Sequence, residues 1–463
     1  MQKKPGSSAK PALRETIRRE LYPGALAAMT TLAIEPLLHA PYLSTATWLR
    51  EFNSWPAPTR SAWQHARLAE IMTYASEHVP YYRSRIAPPV LDSRPVLAGL
   101  APVDKVMIRA DLDQFLSDEC ADLKPLPKRT GGSTGDPFHY PLDRRAWTQM
   151  YAAQLHFFER AGVRYGEPVL SLGIPPIRGV SVSWKQNLRR RLERTTLAPT
   201  SFEVEHDASL RRAVEAGRAG ASLWYGYAGT IAAMAHAVNE EGVTVRGPVA
   251  VVTFAEPLRP GWKEAIEAAF HAPVYDEYGC NDGGLLAQSC ERGRFHLAEN
   301  ISIVEVLDGL DPCPPGVEGD VAITNLHSRA LPFIRYRNGD RAVLGEGTCP
   351  CGRSGATLER MAGRTGDRVE LPDGTLMSLM TFAQVFKRTP GVRRWQVVQP
   401  DRSRLVVRLD VGPNFDAAQR QTILDYVRKW TSNQVEVDVD LSEPIELTPA
   451  GKHKVVVRLE EAV

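Results

Sequence analysis

Glycines and hydroxyl side chains are concentrated in one short segment of this sequence. The segment reads Thr130-Gly131-Gly132-Ser133-Thr134-Gly135-Asp136-Pro137. Backbone N–H groups and short hydroxyl donors in such a segment can surround phosphate oxygens where a Cβ atom would obstruct their approach. No Gly-Lys-Ser/Thr ending follows, so the segment is not a Walker A loop. Taken alone, it is equally consistent with a flexible Ser/Gly turn.

A second segment places an aromatic residue between carboxylates and paired glycines. It reads Asp276-Glu277-Tyr278-Gly279-Cys280-Asn281-Asp282-Gly283-Gly284. The aromatic ring could stack on a base, and an acidic oxygen could hold Mg²⁺. The alternative is a loop that closes a strand, with Tyr278 simply buried.

Three further segments carry charged residues beside glycines. They are Arg335-Tyr336-Arg337-Asn338-Gly339-Asp340, Gly363-Arg364-Thr365-Gly366-Asp367 and Thr448-Pro449-Ala450-Gly451-Lys452. A carboxylate at a strand end can accept hydrogen bonds from ribose hydroxyls, which is a role open to Asp340. The alternative for the first segment is a hairpin, because Asn338-Gly339 is a favoured turn dipeptide. The other two segments are ordinary when taken alone.

Four residues with soft donor atoms form a separate pattern. Cys290 lies six positions before His296, and Cys349 and Cys351 follow more than fifty positions later. Three thiolates and one imidazole would make a closed tetrahedral Zn²⁺ site of the structural type. Cys313 lies between these residues in the sequence and is an alternative candidate for one of the four ligands. The alternative is a set of reduced cysteines in loops with an internally hydrogen-bonded histidine.

The composition places these residues in an ordinary globular chain. At 463 residues, two or three domains are expected. Lys+Arg 56 against Asp+Glu 54 gives a net charge of +2, which does not favour a nucleic-acid partner. The apolar stretch Ala25–Leu38 is shorter than the ~20 residues that span a bilayer, and it contains Glu35 and Pro36. We therefore expect a cytoplasmic protein without a membrane span.

The elements that would position these residues can be read from the hydrophobic pattern. Residues 60–79 have helical periodicity, and strands alternate with helices from about 100 to 360, which predicts an α/β sheet covered by helices. After Gly363 the pattern changes, with a hairpin turn at Asp373-Gly374, a helix over 416–431 and a strand over 435–441. We predict an N-terminal domain over 1–363 and a C-terminal domain over 367–463, joined by a hinge at 363–367.

The order of the five motifs resembles that of the adenylate-forming enzyme superfamily, from about residue 60 to the end of the chain. The resemblance is strongest to the phenylacetate–CoA ligase branch and its CapK-like relatives. Val79–Arg83 and Leu223–Ala237 look like that branch. Asp136 also fits it, because many other members of the superfamily have Lys at this position.

The resemblance implies a large N-terminal domain of several subdomains and a small, mobile α+β C-terminal lid. The loop from Thr130 to Gly135 would hold the β- and γ-phosphates of ATP, and the segment Asp276–Gly279 would place Tyr278 against adenine. Asp340 would hold the ribose, and Asp282 would occupy the Mg²⁺-linked position. The catalytic residues implied besides Asp282 are Arg364, near the ribose and phosphate, and Lys452, in the lid.

The role implied for Lys452 has a physical basis. Attack of a carboxylate on the α-phosphate brings two anions together, so an ammonium group and Mg²⁺ at this point stabilise the transition state. Three positions depart from the family pattern. Asp282 replaces the usual Glu, Gly131 replaces the usual Ser, and Gly366 stands at the hinge-aspartate position beside Asp367.

Residues beside the matched motifs are candidates for the acid pocket. They are Tyr140, Trp224, Tyr225, Gly226 and Thr253. Aromatic lining suits an aryl or apolar acid, and the alternative is that these aromatic side chains belong to the core. The basic run Leu188–Arg194 could guide CoA phosphates, with a solvated helix face as the alternative.

The function implied is ATP-dependent, AMP-forming activation of a carboxylic acid to an acyl-adenylate, followed by transfer to CoA. The expected ligands are ATP, Mg²⁺, CoA and a structural Zn²⁺, and a dimer is one expected oligomeric state. An amine, a carrier protein or another acceptor could replace CoA, and a non-carboxylate oxyanion could replace the acid. A rival from another class is a catalytically degenerate, zinc-stabilised binding protein.

Overall fold

The computed structural model describes most of the chain. The described residues are 22–38, 40–90, 92–129, 138–172, 190–197, 206–254, 258, 261–280, 283–364, 368–378, 382, 385–386, 389, 392–412, 415–442 and 456–458. The 130–137 segment, Asp282, the hinge residues 365–367 and Lys452 lie outside this set. Their predicted roles therefore stay predictions.

Most elements before about residue 120 are helices, and after that point helices alternate with strands. They are α1 Tyr22–Met29, a π-helix Thr30–Ile34, α2 Glu35–Leu38, α3 Tyr42–Ser54, α4 Ala57–His78, α5 Pro80–Arg83, α6 Ser93–Gly99, α7 Lys105–Ala110, α8 Leu112–Phe115, α9 Arg144–Arg160, α10 His206–Ala219, α11 Ala228–Glu241, α12 Trp262–Phe270 and α13 Ala417–Trp430. Within the described residues, no helix combines the length and apolar character needed to cross a membrane.

The longest helix, α4, follows the predicted periodicity. Leu68, Ile71, Met72 and Ala75 are buried on one side of it. Pro58 lies in its first turn, where a missing N–H costs no helical hydrogen bond. The helix ends at His78, as the following Val79-Pro80 pair predicts.

All the described strands lie after residue 100. They are β1 Val103–Asp104, β2 Leu126–Arg129, β3 His139–Leu142, β4 Val169–Leu172, β5 Thr195–Leu197, β6 Leu223–Tyr227, β7 Ala250–Phe254, β8 Val274–Cys280, β9 Gly284–Ser289, β10 Phe295–Leu297, β11 Ser302–Asp308, β12 Asp311–Pro312, β13 Glu318–Asn325, β14 Tyr336–Leu344, β15 Thr357–Arg364, β16 Arg368–Glu370, β17 Leu376–Ser378, β18 Val392–Asp401, β19 Arg404–Val411, β20 Glu436–Asp440 and β21 Val456–Arg458.

One large sheet organises the N-terminal part. Its strand order is β12-β11-β13-β14-β15-β10-β9-β8-β7-β6-β4-β5, and β1 pairs with β14. The strands from β5 to β8 are parallel, and those from β8 to β12 are antiparallel. Helices α10, α11 and α12 pack on one face of the parallel half, and α9 packs on the other. The predicted α/β sheet covered by helices is confirmed.

A small α+β region follows the large sheet. Its four-stranded sheet has the order β20-β19-β18-β21, and α13 packs on it through Ile423, Leu424 and Val427. A capping box between Asp416 and Gln419 starts the helix. The predicted turn at Asp373-Gly374 joins the antiparallel strands β16 and β17.

Candidate functional site

The strand β8 presents neighbouring side chains to opposite faces of the large sheet. Asp276 pairs in register with Thr253 of β7 and accepts a hydrogen bond of 2.7 Å from its hydroxyl. Glu277 pairs in register with Phe254, the last residue of β7. Since side chains alternate along a strand, Tyr278 shares a face with Asp276 and Glu277 lies on the other.

Tyr278 and Asp340, which were predicted to contact the nucleotide, are in direct contact. The Tyr278 hydroxyl donates to Asp340 Oδ2 at 3.0 Å. Asn338 Nδ2 lies 3.0 Å from the Tyr278 oxygen and 2.6 Å from Asp340 Oδ2. Burial, with the Asp340 charge as a second cause, raises the pKa of Tyr278 well above its usual value, so its hydroxyl remains a donor.

The backbone around Asp340 is a bulge, and the hairpin alternative is wrong. The pairing of β13 with β14 passes from Asp320↔Arg341 to Ala322↔Arg337, so β14 contains extra residues between two paired segments. Gly339 has φ +83°, a conformation that favours glycine. Because β13 keeps pairing on both sides, the Asn-Gly pair forms a bulge that turns Asp340 toward Tyr278.

One further predicted nucleotide-site residue lies beside this site, and the strands on either side of another predicted segment are described. Arg364 is the last residue of β15 and is the register partner of Asp340. Arg129 of β2 pairs with His139 of β3, so the strands on either side of the 130–137 segment are adjacent. The structure therefore brings Tyr278, Asp340 and the backbone of Arg364 together.

The five residues predicted for the acid pocket do not share one surface. Trp224, Gly226 and Thr253 belong to the sheet face that α11 and α12 cover, since β6 and β7 pair Trp224 with Val251 and Gly226 with Thr253. Trp224 is 1% exposed and packs edge-on against Phe270. A Cβ atom on Gly226 would overlap the Leu172 carbonyl oxygen, which explains the glycine.

Tyr140 and Tyr225 occupy two other environments. Tyr140 packs with Phe138 and Phe333 in a separate core cluster. Tyr225 lies on the α9 face of the sheet, stacked on Phe254 with ring centroids 4.3 Å apart and in edge contact with Phe158. The role of all five residues in binding the acid stays a prediction, and Tyr225 is the one that contacts the buried Glu277.

Glu277 and Gln154 form with Tyr225 a polar cluster on the α9 face. Gln154 Nε2 donates to the Tyr225 hydroxyl at 2.8 Å, and both side chains hydrogen-bond to Glu277. Glu277 is 5% exposed, and its Oε1 has no partner among the described residues. Burial raises the pKa of this carboxyl to about 8.

A cavity of about 210 Å³ adjoins this polar cluster. Gln154, Phe158 and Tyr225 line it together with Ser171, whose buried hydroxyl has no described partner. Sequence reasoning missed Gln154 and assigned Glu277 to the nucleotide-binding segment only. The available signal was the pair of adjacent acidic residues, Asp276 and Glu277, in the middle of a strand whose central residues are buried.

The four predicted zinc ligands converge on one point. Cys290 follows β9, His296 lies in β10, and Cys349 and Cys351 lie between β14 and β15. Their ligand atoms all lie within 4.8 Å of one another, with Cys290 and Cys349 sulfurs 3.6 Å apart and Cys351 Sγ 3.2 Å from His296 Nε2. Cys313 is not in this group.

These distances fit a tetrahedral metal site. Zn–S bonds of about 2.3 Å and tetrahedral angles require sulfur atoms about 3.8 Å apart, close to the 3.6 Å between Cys290 and Cys349. A disulfide would require an S–S distance of about 2.0 Å. The donor set of three sulfurs and one imidazole leaves no open position, which is the structural type of zinc site.

The fold is that of the adenylate-forming ligases. A crystal structure of 2-hydroxyisobutyryl-CoA ligase in the postadenylation state, in complex with R3-HIB-AMP, matches with a TM-score of 0.60 and 21% identity, covering 88% of this chain and 91% of that one. Residues 369–459 match the family described as the CapK C-terminal domain.

Curated proteins with similar sequences point to the same group of proteins. Protein CapK of Staphylococcus aureus is 20% identical over 410 residues, covering 85% of this chain and 88% of that protein. A phenylacetate-coenzyme A ligase of Thermus thermophilus is 29% identical over 119 residues, which are 24% of this chain and 27% of that protein. These similarities support the resemblance to the CapK-like and phenylacetate–CoA ligase branch of the adenylate-forming enzymes.

Proposed function

We propose that the protein is an ATP-dependent, AMP-forming ligase that activates a carboxylic acid as its acyl-adenylate. The observation that carries the proposal is the contact between Tyr278, near the carboxyl end of β8, and Asp340, at the bulge in β14, with Arg364 as the register partner of Asp340. Ligands of open α/β sheets bind outside the carboxyl ends of the strands. The family relationship supports the same reading.

In the proposed first half-reaction, the tyrosine ring lies against adenine and the Asp340 carboxylate accepts hydrogen bonds from the ribose hydroxyls. A carboxylate oxygen of the acid forms a bond to the α-phosphorus, and the bond from that phosphorus to pyrophosphate breaks. Lys452 supplies an ammonium group at the α-phosphate. Mg²⁺ held at Asp282 would offset phosphate charge.

In the proposed second half-reaction, the CoA thiol attacks the acyl carbonyl, a thioester forms and AMP leaves. The relatives named as phenylacetate-coenzyme A ligases support CoA as the acceptor. An amine or a carrier-protein thiol would use the same adenylate. The acceptor is therefore separable from the first half-reaction by experiment.

The test of the proposal is ATP–pyrophosphate exchange over a panel of aryl and aliphatic acids. We expect acid-dependent exchange in the wild type and a loss of about 10²–10³-fold in Lys452→Ala. Lys429→Ala, which removes an exposed lysine from α13, is the matched control and should keep full exchange. Unchanged exchange in Lys452→Ala would contradict the role of that lysine.

Two outcomes of the same assay would favour the rival functions. ATP binding without exchange for any acid would indicate a degenerate binding protein. AMP formation in the absence of any carboxylate would indicate that another oxyanion is activated. Product analysis with added CoA, amines or carrier protein then identifies the acceptor.

We also propose that Cys290, His296, Cys349 and Cys351 hold one structural zinc ion. The support is the closed set of four soft donors at tetrahedral spacing. The ion would tie the β9–β10 turn to the loop before β15. Metal analysis of the purified protein should find about one zinc per chain, which a closed four-ligand site requires, and far less would overturn the proposal.

A further inference from the structure

We propose that Glu277 recognises an amino group on the acid that the enzyme activates, so that the substrate is an amino-substituted carboxylic acid with an aromatic or small apolar body. The inference rests on the proposed function and adds to it a class of substrate. It is carried by the position of Glu277 in the sheet, by its unpaired oxygen and by the space around it.

The position of Glu277 is the first argument. Its register partner, Phe254, is the last residue of β7, so the carboxyl lies at the carboxyl end of the parallel strands. It directly precedes Tyr278 and faces the opposite side of the sheet. A nucleotide against Tyr278 and an acid joined to its α-phosphate must meet at this edge. The acid therefore comes within reach of the face that carries Glu277.

The unpaired oxygen is the second argument. Tyr225 and Gln154 both hydrogen-bond to the Glu277 carboxyl, yet Oε1 has no donor among the described residues. A buried acceptor without a donor is costly. An amino group on a ligand would satisfy Oε1 by donating an N–H to it.

The space around the cluster is the third argument. Phe158, Tyr225 and Phe254 place aromatic rings beside the carboxyl, which suits an aromatic or apolar substrate body. The cavity of about 210 Å³ lies behind Tyr225 and Gln154 on the same face. The aromatic rings and the unpaired Oε1 of Glu277 together form the combination of apolar wall and polar group that fixes the orientation of a small ligand.

The test compares acids that differ only in an amino group. Binding of 4-aminobenzoate against 4-methylbenzoate, and of 3-aminopropanoate against butanoate, is measured by calorimetry with a non-hydrolysable ATP analogue present. We expect the amino member of at least one pair to bind at least about tenfold more tightly to the wild type. Glu277→Leu should lose this preference, and Glu277→Gln should keep part of it.

A matched control separates recognition from loss of a buried carboxyl. Glu193 lines the same cavity, and its two oxygens accept hydrogen bonds from Tyr151 and Tyr165, so Glu193→Gln should keep the preference. Circular dichroism and denaturation confirm that each variant is folded. Equal binding within both pairs, a preference that survives Glu277→Leu, or no binding of either amino acid would each overturn the inference. Pyrophosphate exchange with the methyl acids would then leave the proposed function standing.

Discussion

At the scale of single residues, Asn338 sets the geometry of the proposed nucleotide site. Its amide nitrogen lies within hydrogen-bonding distance of both the Tyr278 oxygen and Asp340 Oδ2, while its amide oxygen accepts from the Asp340 backbone N–H at 3.0 Å. One side chain therefore orients both residues that are proposed to contact the nucleotide. It is a positioning residue and not a catalytic one.

Replacing Asn338 by Ala should weaken ATP binding more than turnover. The Asp340 carboxylate loses the amide that orients it, and one lost hydrogen bond of this kind changes affinity by about tenfold. We expect KM for ATP to rise by about that factor with kcat nearly unchanged. Steady-state kinetics at saturating acid measure the split, and a fall in kcat with constant KM would contradict the positioning role.

Glu277 should make the stability of the protein depend on pH. Its carboxyl has a pKa of about 8 in the folded chain against 4.5 as the reference value. The unfolded chain therefore loses this proton at a lower pH than the folded chain does. As a result, the free energy of unfolding falls as pH rises from about 4.5 to 8. The slope is about 1.4 kcal/mol per pH unit.

Glu277→Gln removes this titration. Urea denaturation of the wild type and the variant between pH 5 and pH 8 should show the two free energies of unfolding diverging as pH rises, with the wild type losing more. Parallel curves would show that the carboxyl is already ionised in the folded protein at pH 5.

Arg335 should be among the most sensitive residues for stability. It is 0% exposed, lies 3.4 Å from Glu305 and donates to the carbonyl oxygens of Ala98, Leu100 and Leu310. Arg335→Met leaves Glu305 and these carbonyls without their donor, so we expect a loss of about 3–5 kcal/mol.

Chemical denaturation measures the effect of Arg335→Met. Arg337→Met is the matched control, because Arg337 is only partly buried and donates to the carbonyl oxygen of Gly309 alone among the hydrogen bonds described for it. We expect a much smaller loss in the control. Equal losses of unfolding free energy in the two variants would show that the buried ion pair of Arg335 with Glu305 adds no extra stability.

At the scale of secondary-structure elements, the local sequence pattern correctly predicted those elements whose conformation depends mainly on neighbouring residues in the chain. The helix α4, the turn at Asp373-Gly374 and the helix α13 all follow from periodicity, turn chemistry and capping. The bulge at Asn338-Gly339 did not follow, because the same dipeptide also favours a hairpin. Only the continued pairing with β13 decides between the two.

The polar cluster on the α9 face was also beyond local pattern. Gln154 and Glu277 are far apart in the chain and meet only because α9 packs on the parallel strands. Strand alternation separates Tyr225 from Trp224, whereas sequence proximity to a shared motif had placed them together. The cysteine and histidine cluster was predictable from donor type together with spacing, although Cys313 stayed open as an alternative until the structure excluded it from the group.

Removing zinc should destabilise the elements that its ligands join. The proposed ligands are Cys290 in the β9–β10 turn, His296 in β10, and Cys349 and Cys351 in the loop between β14 and β15. Treatment with a chelator should release about one zinc and lower the thermal unfolding midpoint, because binding to the folded state alone adds stability. Cys351→Ser should bind less zinc than the wild type.

Cys120→Ser is the control for this experiment, since Cys120 is a free cysteine outside the cluster. It should keep the zinc content and the unfolding midpoint of the wild type. An unchanged midpoint after complete loss of metal would show that the four ligands hold their positions without an ion.

At the scale of the whole molecule, one aromatic contact joins the two regions. Trp430, at the end of α13, packs edge-on against Trp262 of α12 with ring centroids 5.1 Å apart. The proposed lid movement about residues 363–367 would separate these rings. A moving lid would adopt two arrangements relative to the large sheet, and this contact would be present in one of them.

Tryptophan fluorescence should report this movement. Adding ATP and an accepted acid should change the emission of the wild type as Trp430 leaves its partner. Trp430→Phe should lack most of this change while keeping the fold. Identical ligand-induced changes in both proteins would show that α13 stays in place during the reaction.

The strand β15 connects two features that have been described separately. Its first residue, Thr357, pairs with the zinc-site residue His296, and its last, Arg364, pairs with Asp340. A domain that rotates requires a fixed support on the other side of its hinge. The strand β15 ends within the predicted hinge at residues 363–367. We expect metal binding at the His296 end of β15 to keep this strand rigid, so that rotation of the C-terminal region would not displace Asp340, the carboxylate proposed to hold the ribose.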